Sequence, residues 1–412
     1  MMMACMSSAQ SSPVELRHQP EVGHHLLVDG HPFFIRGAGA YGKLEELKAA
    51  GANAARIWNS RDYDWINIAD YLHQAHALGL KIMLGLELPT AKAFDYRNES
   101  ALEQLIAEYR TTVRERRDHP ALLLWGIGNE IEWGRSERDE MIPVWRALNR
   151  IARMVKEEDP YHPTVIVLAG DAEWKIEAVE RYCPDIDILG LNVYHTLSVV
   201  PEKLERLKVT KPYLITEYGP RGWWEQERTP WRAILEPTSH EKAAEYVAGY
   251  RAGIDDQPNC LGSFAFIWGA KEEATLTYFG SHLPSGEPTA IVDALTQLWS
   301  GRLPADRAPR ITRFKSSARA ARLAPGTIVE VAAKVGGEGP FTYEWRLTTD
   351  GSAATTSGLA SGIRKSRLWK TWADGQPVIK FEVPKQAGSY RLYLFVRDRV
   401  GKGASANFPF RS

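Results

Sequence analysis

The chain has 412 residues, 44% of them hydrophobic and 25% charged, which fits one large globular domain with a small one beside it. Its 51 Lys+Arg balance 51 Asp+Glu, which excludes a chain that binds polyanions through its overall charge. No apolar run reaches the length of a membrane span, and Cys5, Cys183 and Cys260 give neither a disulfide framework nor a metal-ligand spacing.

From residue 26 to residue 300, strand-like and helix-like segments alternate. Residues 33–38 form a first strand after the Asp29-Gly30 turn, and Leu44–Ala50 a short helix ending at Gly51. A second strand covers 52–58, a helix Trp65–Leu78 carries Ile68, Leu72 and Ala75 on one face, and Gly79 caps it. The third strand is 81–87. It is followed by an amphipathic helix over Ser100–Arg116, with Ser100 and Glu103 in a capping-box pattern. The fourth strand is 121–128 with a helix over 143–158, and the fifth 164–169 with a helix over 174–182. The sixth is 186–193 with a helix over 201–207, the seventh 213–216 with a helix over 239–254, and the eighth 261–268 with a helix over 289–299.

Eight strand–helix units predict a (β/α)8 barrel over 26–300. The strands are continuous apolar runs, as a parallel sheet covered on both faces requires. A doubly wound open sheet is the rival, but it needs fewer units, and Gly37-Ala-Gly39-Ala completes no dinucleotide fingerprint. Residues 301–310, with Pro304 and Pro309, form a linker. Beyond it, strand-like stretches at 327–335, 342–347, 378–383 and 390–397 predict an immunoglobulin-like β-sandwich over 311–412. That segment holds 17 Lys+Arg against 7 Asp+Glu, a surplus of +10 that the rest of the chain offsets. The split fits either contact with an acidic surface or two domains whose solvated surfaces differ. Residues 1–25 precede the barrel. Met3-Ala4-Cys5 followed by serines fits a lipoprotein or signal remnant, so a secreted, periplasmic or lipid-anchored location stands beside a cytoplasmic one.

In a barrel, chemistry sits at the C-terminal ends of the strands. Those ends hold Tyr41, Arg56 with Trp58 and Asn59, Glu87, Asn129 with Glu130, Asp171, Asn192 with Tyr194 and His195, Glu217, and Trp268. Carboxylates and amides bind hydroxyls and flat rings stack on sugar faces, so this is a sugar-binding composition. Glu130 and Glu217 each end an apolar run abruptly, as glycosidic bond cleavage by a carboxylate pair requires. Glu87 either binds a sugar hydroxyl or bridges to Arg56. His195 either meets substrate or satisfies a loop carbonyl, and Tyr41 is either a subsite wall or barrel-bottom core. Trp223, Trp224 and Trp231, in the loop after the seventh strand, either add sugar subsites or pack that loop. Glu132 reads as a solvated loop acid, and Trp345, Trp369 and Trp372 as sandwich core or a second glycan surface. His73 and His76 lie three apart on a helix, which is more often a polar face than a ligand pair. No metal, no cofactor and no nucleic-acid partner is expected; the expected partner is a carbohydrate substrate, and the oligomeric state is left open.

Three motifs then act together: Trp125-Gly-Ile-Gly-Asn129-Glu130, Asn192-Val-Tyr194 and Glu217-Tyr-Gly219. They resemble the catalytic barrels of clan A of the glycoside hydrolases, retaining β-glycosidases, most of all family 2 and next family 5. The resemblance implies Glu130 as general acid/base and Glu217 as nucleophile. It also implies Asn129 on the sugar 2-hydroxyl, Tyr194 orienting Glu217, Arg56 beneath it, and Trp268 flooring the −1 subsite. Family 2 enzymes usually carry β-domains before the barrel, whereas here the extra domain follows it. The expectation is therefore a more open cleft acting on an oligo- or polysaccharide, β-glucan first and β-mannan behind it. The same chemistry supports transglycosylation, and a non-catalytic carbohydrate-binding barrel or scaffold is the rival of another class.

Overall fold

The computed structural model describes residues 14–20, 23–134, 138–352, 366–372 and 375–412. Cys5 and the serines after it lie outside them. The chain divides into two compact units, residues 1–218 with 250–265, and residues 219–249 with 266–412.

The first unit opens with β1 (Val14–Gln19), β2 (Gly23–Val28) and β3 (His31–Pro32), a small antiparallel sheet that runs from the segment before residue 26 into the first residues of the range read as barrel. Eight parallel strands then close into the expected barrel. They are β4 (Ile35–Ala40), β5 (Ala54–Ile57), β6 (Lys81–Leu86), β7 (Leu122–Ile127), β8 (Thr164–Ala169), β9 (Ile188–Asn192), β10 (Tyr213–Tyr218) and β11 (Cys260–Trp268). Residues near the strand starts, among them Ile35, Ala54, Leu123, Val165, Ile188 and Leu214, share one core cluster with Val14, Leu26 and Val28. The β1–β2 hairpin therefore seals the barrel end opposite the strand C-termini. Each large aliphatic side chain buried there contributes about 1.5–3 kcal/mol.

The helices are α1 (Leu44–Ala49), α2 (Ile68–Ala77), α3 (Glu99–Arg116), α4 (Ile142–Glu158), α5 (Glu173–Tyr182), α6 (Val200–Arg206), α7 (Ser239–Gly253) and α8 (Ala290–Ser300). Two starts differ from expectation. The Asn98 side chain, not Ser100, caps α3 by accepting from the Ala101 amide at 3.1 Å, while Glu103 turns outward to pair with Arg150. α2 begins at Ile68, not Trp65, because Asn67 accepts from the Asp70 amide at 2.9 Å and Asp62 from the Ile68 amide at 2.7 Å. Short polar acceptors at this position end the loop and start the helix. As a result Trp65 stands on a loop.

The second unit contains the sandwich. Its strands are β12 (Arg310–Lys315), β13 (Ile328–Gly336), β14 (Thr342–Thr349), β15 (Leu368–Trp372), β16 (Val378–Glu382), β17 (Ser389–Arg397) and β18 (Gly403–Arg411). They form two sheets, β12-β13-β16 and β15-β14-β17-β18. Val331, Trp345, Leu347, Phe381, Leu392, Leu394 and Phe408 make up much of its core. β12, β15 and β18 were not legible in the sequence. β18 is buried from Gly403 to Phe410, yet it carries Asn407 and Pro409, which break any apolar or alternating signature. Asn407 is there for a polar cluster. Its Oδ1 accepts from Arg391 Nη1 at 2.5 Å, and Arg391 Nη2 also reaches Asp350 at 3.1 Å, Ser352 Oγ at 3.0 Å and the Ile234 carbonyl at 2.8 Å. Asn407 Nδ2 donates to Glu236 at 2.7 Å, and Glu236 pairs with the buried Lys242. Every charge in this cluster is thus matched, as burial demands.

Candidate active site

The surroundings of Glu217 are built by strands far apart in sequence. Glu217 on β10 accepts at Oε1 from Arg56 Nη1 at 3.1 Å and from Trp58 Nε1 at 2.9 Å, and at Oε2 from Tyr194 Oη–H at 3.0 Å. Three donors on two oxygens, one of them a guanidinium, fix the orientation of the carboxyl group. Arg56, 2% exposed at the end of β5, also donates to the Thr216 carbonyl at 2.7 Å and to Asn129 Oδ1 at 2.7 Å. Burial pulls its guanidinium below the ordinary arginine value, and the Glu217 and Glu130 charges oppose that pull.

Trp58 fits because Gly39 on β4 has no side chain. A Cβ there would lie 2.2 Å from the indole edge. The ring also lies under the Arg56 guanidinium, 4.8 Å from its centre.

Glu130 follows β7 in a tight turn. Gly128 has φ 72° and Glu130 itself φ 51°, a left-handed conformation uncommon outside glycine. The Glu130 amide donates to the Val167 carbonyl at 2.9 Å, which holds the turn against β8. The strained residue thus points its carboxyl at the mouth, where Asn192 Nδ2 donates to its Oε1 at 2.8 Å. Burial first, and the Glu217 charge second, raise the Glu130 carboxyl from 4.5 to about 7. Asn192 in turn accepts at Oδ1 from Thr216 Oγ at 2.8 Å and from Arg56 Nη1 at 3.4 Å. Only Asn192 and Arg56 therefore separate the two carboxyl groups along a chain of hydrogen bonds.

The structure brings together Arg56, Asn129, Glu130, Asn192, Tyr194 and Glu217 in one network. Tyr41 belongs to the barrel mouth, where its ring packs on Trp58 at 5.4 Å between centroids. Glu87 is exposed and accepts from Tyr63, not from Arg56. His195 is exposed beside Tyr194. Trp223 is 1% exposed and its indole donates to Glu273 at 3.1 Å, so its ring is taken up in packing, whereas Trp224 is 43% exposed. Trp268 ends β11 packed against His282 and Trp299. Glu132 is a buried ion-pair member, not a solvated acid: it accepts from Lys175 at 2.9 Å and from the Ala169 amide at 2.8 Å. The sequence places Trp58 at a strand end and carries no signal of its role. Its partner lies 159 residues away, beyond any local signal. Among the described residues no group of histidines, cysteines or carboxylates is placed to hold a metal, and no helix is long and apolar enough to cross a membrane.

A closed parallel barrel with an Asn-Glu turn after its fourth strand and a three-donor glutamate on its seventh is the arrangement that the resemblance to the catalytic barrels of clan A of the glycoside hydrolases implies. More narrowly, residues 68–222, which include both glutamates, match the TIM barrel domain of glycosyl hydrolases family 2. The β-mannosidase A of Aspergillus niger is 30% identical over 129 residues, covering 27% of this chain and 13% of that protein. The human β-glucuronidase is 21% identical over 266 residues, covering 60% and 36%. A solved Bacteroides uniformis β-glucuronidase superposes with a TM-score of 0.52 at 17% identity over 97% of this chain and 48% of its own. One from Bifidobacterium dentium does so at 0.53 and 15%, over 70% and 49%. These superpositions show a shared fold. The chain spans about half the length of those solved chains and a smaller share of the two curated relatives.

Proposed function

We propose that this protein is a retaining β-glycosidase that acts by double displacement on a β-linked oligo- or polysaccharide, with β-glucan the first candidate. The observation that carries this reading is the unequal environment of the two glutamates. Glu217 is surrounded by donors, while Glu130 holds its proton up to about pH 7. A Glu217 oxygen attacks the anomeric carbon as the bond to the leaving oxygen breaks, and the Glu130 proton passes to that oxygen. A water oxygen then attacks the same carbon, its proton returns to Glu130, and the ester to Glu217 breaks. With Glu217 esterified, its charge no longer opposes ionisation of Glu130, which is then a competent base. Asn129, whose carbonyl is held by Arg56, offers its amide N–H to the sugar 2-hydroxyl.

The test is a panel of aryl β-glucosides, β-mannosides and β-glucuronides and of β-linked oligosaccharides. Wild type, Glu130→Ala and Glu217→Ala are assayed, with the anomer of the first product read by NMR. Full activity in both variants, or an inverted first product, overturns the reading. Products longer than the substrate identify transfer to a sugar hydroxyl in place of water.

A further inference from the structure

Four aromatic rings run outward from the nucleophile in unbroken contact. Trp58 donates to Glu217, and Tyr41 packs on Trp58 at 5.4 Å. Trp65 meets Tyr41 edge to face at 4.9 Å, and Tyr63 stacks on Trp65 at 5.6 Å with their planes 10° apart. Trp65 is nevertheless 61% exposed, the most exposed tryptophan among the described residues. It is not loosely placed. Tyr63 is anchored through its hydroxyl to Glu87, a partnership that pushes the Tyr63 phenol up to about 12 and so keeps it a donor. The caps provided by Asp62 and Asn67 fix the start of α2 three residues after Trp65. An indole stiffened by its neighbours yet left open to solvent loses little entropy when a flat apolar face covers it.

Resting on the reading above, we propose that Trp65, backed by Tyr63 and Tyr41, is the stacking platform for a second sugar ring on the glycone side. The site would then take a chain of at least two β-linked sugars ahead of the scissile bond, not a single terminal sugar. The side follows from the contacts. The row starts at the residue that touches Glu217, which attacks the glycone, and it runs along the ends of β4 and β5. Glu130, which protonates the leaving group, stands after β7. The face a β-linked pyranose offers to such a ring is its C–H face, while the exposed Glu87 carboxylate beside Tyr63 accepts from its hydroxyls.

The test compares kcat/KM for release of nitrophenol from 4-nitrophenyl β-glucoside, β-cellobioside and β-laminaribioside. Wild type is expected to favour one of the two disaccharides at least tenfold. Trp65→Ala is expected to bring that ratio to about one, and Trp65→Phe to restore most of it. A ratio unaltered by Trp65→Ala, in an enzyme that releases nitrophenol, overturns the platform and leaves the glycosidase reading standing. Release from none of the three counts against the glycosidase reading, and a binding measurement then decides the platform. Glu217→Gln protein is titrated with cellotetraose and laminaritetraose by tryptophan fluorescence, with and without Trp65→Ala. A tenfold or greater weakening supports the platform, and equal binding, or none, overturns it.

Discussion

Trp58 donates its indole N–H to Glu217 Oε1 at 2.9 Å, through a space that exists because residue 39 is glycine. The contact joins the end of the second barrel strand to the seventh. It gives Glu217 a donor whose ring cannot rotate away, since Arg56 lies on one side of it and Tyr41 packs against it.

Trp58→Phe keeps the ring and deletes the donor. A hydrogen bond to a charged group contributes about 1.5–3 kcal/mol, so kcat/KM on the best aryl glycoside is expected to fall roughly 10- to 100-fold. Thermal stability should change little. Gly39→Val should produce the same kinetic loss by displacing the indole, since its Cβ would meet the ring at 2.2 Å. Wild-type rates in both variants would remove Trp58 from the catalytic machinery.

On the proposed mechanism Glu130 sets the alkaline side of the pH profile. The general acid must be protonated, and its carboxyl titrates at about 7. kcat/KM should therefore fall above about pH 7, approaching tenfold per pH unit, on substrates with poor leaving groups. Glu130→Ala should flatten that limb. It should also lose far less activity on 2,4-dinitrophenyl glycosides, which leave without a proton. Azide, which needs no general base, should restore turnover of the variant as a glycosyl azide of retained configuration.

The same carboxyl weakens the fold at neutral pH. Its folded value of about 7 exceeds the unfolded 4.5, so between those values the folded state holds more protons than the unfolded. Stability is lost as pH rises through that window, and the cost is fully present above about pH 7. Glu130→Gln removes the titration, and it should raise the unfolding free energy at pH 8 by roughly 1–3 kcal/mol, with a smaller gain at pH 4. An equal gain at both pH values would contradict the assignment.

Arg391 is the centre of the buried polar cluster of the second unit, and its side chain is fully excluded from solvent, as is that of Asp350 to within 1%. Arg391→Met leaves Asp350 charged and unpaired, and should destabilise that unit by roughly 3–5 kcal/mol in urea unfolding. Adding Asp350→Leu should recover part of the loss, because the uncompensated charge is then gone.

Much of the barrel was legible because its strands are buried on both faces and read as apolar runs. The sandwich was less so. β18 mixes Asn407 and Pro409 into a buried strand, because its residues answer to Arg391 and Glu236 and not to a local period. The spacing predicts Trp65 within a helix. Two side-chain caps that compete with the first helical turn put it on a loop instead.

The sequence by itself determined which residues stand at the strand ends. An apolar run that stops at Asn129-Glu130 or at Glu217 is a local pattern, set by the hydrophobic period of a strand and the turn after it. Only the tertiary structure decided what each glutamate is chemically. Asn192 reaches Glu130 across 62 residues, and Arg56 and Trp58 reach Glu217 across 161 and 159. Those pairings arise when the barrel closes, and the burial and charge that set the two carboxyl groups apart exist only then.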